Sequence, residues 1–137
     1  MRVLLADDDP SLRRALGMSL TRAGFTVTVV DDGEIAIQLS NDQTFDIVIA
    51  DFNMQRVGGC QVIKHFKERF GAAVCCIVLS GDDDEIMNAA CFLAGADDVL
   101  VKPMSPTELR QRVNAAALAL QSANAARLAD RGVVTAA

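Results

Sequence analysis

Hydrophobic and polar positions alternate between two periods along this chain. Short apolar runs of strand length occupy residues 3–6, 26–30, 46–50, 74–79 and 97–101. Between them, small and apolar residues recur three and four apart, the spacing of one face of a helix. Leu12, Ala15, Leu16, Ser19 and Leu20 trace the first helix, residues 34–40 a short second one, and Val62, Ile63, Phe66 and Phe70 a third. Ile86, Ala89, Ala90 and Leu93 outline the fourth, and Leu109, Val113, Ala116 and Leu120 the packing stripe of the last. Residues 47–50 are apolar and mostly β-branched, which predicts a strand buried on both faces, as in a parallel sheet. Five β-α units in succession predict a doubly wound five-stranded parallel sheet with helices on both faces. Right-handed crossovers leave few topologies, each with one point where strand order reverses.

Punctuation agrees with these boundaries. Asp9-Pro10 offers an N-cap followed by proline at the first helical position, and Ser105-Pro106-Thr107-Glu108 adds a capping-box glutamate. Gly24, Gly71 and Gly95 each follow a helical run, where a left-handed residue stops it. Helical, alanine-rich sequence continues past Leu120 to about Ala129, and residues 131–137 carry no core-forming pattern and are expected to fray. Residues 1–120 are therefore read as one domain, and 121–137 as a helical extension and a tail or linker. Two readings of the extension remain: a helix that overruns its domain, which is preferred, and a connector to a partner or output domain.

A chain of 137 residues, 51% hydrophobic and 23% charged, has the composition of one globular domain. A net charge of −5 without a lysine or arginine cluster argues against nucleic-acid binding by this chain alone. No signal peptide is visible, and no apolar run nears the ~20 residues that span a bilayer, so a cytoplasmic protein is expected. Cys75 and Cys76 are adjacent in a strand and point to opposite faces, while Cys60 and Cys91 lie on helical segments. With no CxxC pair, buried free thiols are expected rather than a zinc or redox site.

Candidate chemistry collects at strand ends. Asp7, Asp8 and Asp9 follow the first strand, Asp51 ends the third, Ser80 the fourth and Lys102 the fifth. Ligands of open α/β sheets sit beyond the carboxyl ends of the strands, so these groups are expected to converge there. An acid at one strand end can simply cap the following loop; carboxylates, a hydroxyl and a lysine at successive ends are a more specific pattern. Clustered carboxylates suit a hard, oxygen-seeking cation such as Mg²⁺, and a lysine with a hydroxyl suits an anionic phosphoryl group. His65 is the single histidine of the chain, with Cys60 alone among the cysteines near it in sequence, and reads as a satisfied or solvent-facing helix residue. The acidic run 82–85 lacks the spacing of a calcium loop and reads as a helix N-terminus.

The segments VLLADDDP, DIVIADFNM, VLSG and VKP, together with Gly59, resemble the response-regulator receiver domains of two-component signalling, from Arg2 to about Leu120. That resemblance implies a flavodoxin-like fold with strand order 2-1-3-4-5 and five helices. It implies a signalling receiver and not an enzyme in the ordinary sense, one that catalyses only its own phosphorylation and slow dephosphorylation. Asp51 would accept a phosphoryl group from a phosphohistidine on a sensor histidine kinase or phosphotransfer protein. Asp7, Asp8, Asp51 and the backbone carbonyl of Asn53 would hold Mg²⁺; Ser80 and Lys102 would engage the phosphoryl oxygens, with a cis Lys102-Pro103 bond. Asp9 remains the helix cap. Partners would be the kinase and a downstream protein or output domain, with a homodimer through the fourth helix, fifth strand and fifth helix as a further option.

Three departures stand out. Val99 occupies the position where the family often has an aromatic reporter, and the chain has no Tyr or Trp, so output is expected through loop movement or dimerisation. Gln55 stands where proline is common, and Gly58 where an acid is frequent. Asn53 and Asp82, both polar, occupy positions that tune acyl-phosphate hydrolysis in the family, which favours a transient signal. Two other classes stay open: a pseudo-receiver used only for interaction, and an aspartyl-nucleophile phosphatase. The latter would want its nucleophile after the first strand with a second aspartate two residues on, whereas Asp51 follows the third and is followed by Asn53.

Overall fold

In the computed structural model, which describes residues 1–81 and 85–130, five strands alternate with five helices. They are β1 (Arg2–Ala6), α1 (Pro10–Arg22), β2 (Thr26–Val30), α2 (Gly33–Leu39), β3 (Ile47–Asp51) and α3 (Gly59–Phe70). After a 3-10 turn at Gly71–Ala73 come β4 (Cys75–Ser80), α4 (Glu85–Leu93), β5 (Asp98–Val101) and α5 (Pro106–Asp130). All strand pairs are parallel and the sheet order is β2-β1-β3-β4-β5, so this is the flavodoxin-like topology, reversing between β1 and β3. The expectations for Asp82 and for residues 131–137 fall outside the described residues.

Side-chain alternation divides the core into two layers. Val3, Leu5, Ile47, Ile49, Ile77 and Leu79 face α1 and α5, meeting Leu16, Leu20, Leu109 and Val113. Their neighbours Leu4, Val48, Ala50, Cys76 and Val78 face the opposite way, toward Ala36, Val62, Ile63, Phe66 and Cys91 of α2, α3 and α4. The central β3 is buried along its whole length, as a strand covered on both faces must be. Strand limits differ from the periodic reading by one residue. Asp46, for example, precedes β3 yet still pairs with Arg2, its N–H donating to the Arg2 carbonyl at 2.9 Å and its carboxylate accepting the Arg2 N–H at 2.8 Å.

Helix caps follow from the local sequence. The Asp9 carboxylate accepts the N–H groups of Ser11 and Leu12, with Pro10 at the first position, and the Ser105 hydroxyl accepts the Glu108 N–H. The last helix buries Leu109, Val113, Ala116 and Leu120, then continues exposed to Asp130. His65 is satisfied, its Nε2 lying 2.8 Å from the Ser40 hydroxyl.

One helix presents the opposite face from the one its spacing suggests. α4 forms where Ile86, Ala89, Ala90 and Leu93 outline it, but that stripe faces water, with Ile86 78% and Leu93 90% exposed. Its inward side is Met87, Asn88 and Cys91, and only Cys91 is buried. A helix this short and this apolar carries two plausible stripes, and spacing alone does not choose between them. No helix among the described residues is long and apolar enough to cross a membrane.

Candidate functional site

Register brings the predicted site residues to one edge of the sheet. Ala6 pairs with Ala50, so the next residues, Asp7 and Asp51, emerge side by side where strand order reverses. Asp51 pairs with Leu79, one short of Ser80, and Ser80 pairs with Val101, one short of Lys102. The Lys102 N–H donates to the Ser80 carbonyl at 2.6 Å, and a cis Lys102-Pro103 bond follows. From the far side of the hollow the Lys102 Nζ reaches Asp51 Oδ2 at 2.9 Å and Asp7 Oδ2 at 3.3 Å. Asp8 joins from the loop after β1: carboxylate oxygens of Asp7, Asp8 and Asp51 all lie within 4.8 Å of one another. Ser80 is buried at the end of β4. Asn53 is exposed, and its N–H donates to Asp51 Oδ1 at 3.2 Å.

Electrostatics here are unbalanced. Asp7 is fully buried and Asp51 is 4% exposed, with one lysine for both. Burial, reinforced by repulsion from Asp7, lifts the Asp51 carboxyl from the usual 3.8 to about 6, although Lys102 and the Asn53 N–H pull the other way. Burial alone would lower the Lys102 ammonium, yet its two carboxylate partners raise it, so it stays charged. Asp7 Oδ1 accepts the Asp9 N–H at 2.9 Å, and its buried Oδ2 meets the Lys102 ammonium at 3.3 Å. Three clustered carboxylates with a single lysine between two of them are an oxygen donor set of the kind a hard divalent cation takes. The residues present fit such an ion.

Two residues support the site from outside it: Arg13, which carries no signal in the sequence, and Gly59, which enters there only through the family resemblance. Arg13, in the second turn of α1, donates from its guanidinium to the Asp7 carbonyl at 2.8 Å and steadies the loop after β1. Gly59 is needed because its backbone lies against that of Asp51: a Cβ there would sit 2.3 Å from the Asp51 carbonyl oxygen. The loop between them turns at Arg56, which takes a positive φ of 65° without being glycine. Val99 packs inward beside the α3–α4 layer and leaves no aromatic on β5.

The sequence profile of the response regulator receiver domain matches residues 3–114. The chain belongs to this family. Among curated relatives, this receiver domain is 35% identical over 112 residues to the uncharacterized transcriptional regulatory protein YrkP of Bacillus subtilis, covering 82% of this chain and 47% of that one. Among solved structures, it resembles the receiver domain of the Francisella response regulator 1452 at a TM-score of 0.77 and 30% identity, covering 84% of this chain and 94% of that one. It also resembles the receiver domain of a sensor histidine kinase from Pseudomonas aeruginosa, described with a magnesium ion coordinated in its active-site cleft. That match has a TM-score of 0.72 and 27% identity over 82% of this chain and 92% of the other. The chain spans about half or less of the curated relatives it matches. Receiver domains of response regulators are signalling modules of two-component systems and not classical enzymes.

Proposed function

We propose that this receiver works in the cytoplasm by accepting a phosphoryl group on Asp51 from a phosphohistidine of a sensor histidine kinase or phosphotransfer protein. The observation that carries this reading is the buried Asp51 carboxylate with Lys102 at 2.9 Å on one side and two further acids within 4.8 Å on the other. An oxygen of Asp51 attacks phosphorus, the P–N bond breaks, and its electron pair stays on the departing imidazole, which takes up a proton. Asp7, Asp8, Asp51 and the Asn53 carbonyl would hold Mg²⁺. When bound, that ion neutralises the acids and the spreading charge of the phosphoryl oxygens.

The remaining steps belong to the chain itself. Lys102 stands where it can turn from the carboxylate to a phosphoryl oxygen, and the Ser80 hydroxyl can donate to another. Phosphorylation replaces one negative charge with nearly two and adds strong acceptor oxygens. The pull on Ser80 would move the loop after β4 and, with it, α4. Exposed Ile86, Phe92 and Leu93 on α4 and Val101 on β5 support an apolar surface for a downstream protein, an output domain or a second copy through α4, β5 and α5. Residues 1–120 would be the receiver, and 121–137 an extension, because α5 buries nothing after Leu120. Incubation with acetyl phosphate and Mg²⁺ should add one phosphoryl group by mass, and Asp51→Asn should abolish it. Labelling that survived the substitution would overturn the assignment.

A further inference from the structure

The four cysteines are free, and two of them meet across the domain. Cys60, in the first turn of α3, and Cys91, on α4, place their Sγ atoms 3.0 Å apart although 31 residues separate them in the chain. A disulfide bond needs about 2.0 Å between sulfurs, so the two thiols stand about 1 Å beyond bonding distance. Cys60 is half-buried and within reach of a small oxidant, whereas Cys91 is 1% exposed and sits behind it. Burial, with Cys60 as a hydrogen-bonding neighbour, pushes the Cys91 thiol up to about 12, which makes it a poor first nucleophile. Cys75 and Cys76 point to opposite faces of β4, and burial raises them to about 11 and about 12, so neither competes.

We propose that Cys60 and Cys91 form a redox site in which a peroxide converts the two thiols to a disulfide that ties α4 to α3. The Cys60 thiolate attacks one oxygen of hydrogen peroxide; the O–O bond breaks, and hydroxide leaves as water with the proton the thiol gave up. The Cys91 sulfur then attacks the resulting Cys60 sulfenic acid; the S–O bond breaks and the hydroxyl leaves as a second water, carrying the Cys91 proton. Two thiols lose two electrons and one peroxide becomes two waters.

The bond falls on the one side chain by which α4 is buried. In the remainder of that helix Met87 and Asn88 are half-buried, and the apolar stripe faces outward. At the other end, Cys60 follows Gly59, whose N–H donates to the Phe52 carbonyl at 3.1 Å and whose backbone lies against Asp51. The disulfide therefore links the most weakly anchored helix to the segment that follows Asp51. Cysteine pairs of this kind in reducing compartments act as sensors and not as permanent staples. This inference goes beyond the function proposed above and does not depend on it.

The test uses the full chain, reduced and then treated with hydrogen peroxide, quenched with an alkylating agent and mapped by non-reducing peptide mass spectrometry. A linked Cys60–Cys91 peptide, two unreacted thiols at Cys75 and Cys76, and loss of the link in both Cys60→Ser and Cys91→Ser are expected. In Cys91→Ser, Cys60 should stop at sulfenic acid and be trapped by dimedone. Conversion of wild-type Cys60 to sulfinic acid without a link, a link between two molecules, or consumption of Cys75 or Cys76 as fast as Cys60 would each overturn the proposal. Amide hydrogen exchange supplies the second measurement: oxidation should slow residues 85–93 by ~10-fold, and reductant should restore the original rate. Exchange there that is unchanged by oxidation would remove the tie to α4.

Discussion

Asp51 is held in a place that its own charge makes unfavourable. Its carboxyl is raised from 3.8 to about 6 by burial and by Asp7, so folding favours the protonated form. Stability from this group is fully present below about pH 4 and is lost as pH rises through about 6, costing about 3 kcal/mol on the alkaline side. Asp51→Asn should therefore stabilise the metal-free protein at pH 7.5 by about 1–3 kcal/mol and flatten the stability profile between pH 4 and 7. Urea unfolding in a chelating buffer measures this; a variant less stable than wild type at pH 7.5 would contradict it. Mg²⁺ should then raise the wild-type midpoint more than that of the variant. The identities of Asp7, Asp8, Asp51, Ser80 and Lys102 as a group were legible in the chain, because each ends or follows a strand. Arg13 was not, since nothing in its sequence context says that its guanidinium will reach the Asp7 carbonyl.

Among the elements, the segment from β3 into α3 and the helix α4 are held in opposite ways. The first is held by backbone contact: Gly59 lies so close to Asp51 that an added methyl group would overlap its carbonyl oxygen. Gly59→Ala should destabilise the domain by about 2–3 kcal/mol, seen as a lower unfolding midpoint, and should slow labelling by acetyl phosphate because Asp51 must shift. α4 is the reverse case, with Ile86 and Leu93 turned to water. Ile86→Ser combined with Leu93→Ser should change stability by no more than about 0.5 kcal/mol while weakening dimerisation or partner capture by the phosphorylated chain. A large loss of stability would mean that the stripe packs inward after all. Spacing found this helix but not its face, because Met87, Asn88 and Cys91 make an equally regular stripe and only the neighbouring layer selects one.

Over the whole molecule, α5 joins the domain only as far as Leu120, and residues 121–130 are exposed. Ending the chain after Leu120 should leave the unfolding midpoint and Asp51 labelling within error of the full chain; loss of either would make the extension part of the fold. The layered arrangement could be read in advance because the chain repeats one unit, strand then helix, and handed crossovers leave few ways to stack it. Period, caps and strand-end acids are local properties, and the sequence alone determined them. Only the tertiary structure decided the sharing of Lys102 between Asp7 and Asp51, the direction in which α4 turns and the meeting of Cys60 with Cys91. Those features depend on which surfaces distant segments present to one another, and a period along the chain carries no record of distance across it.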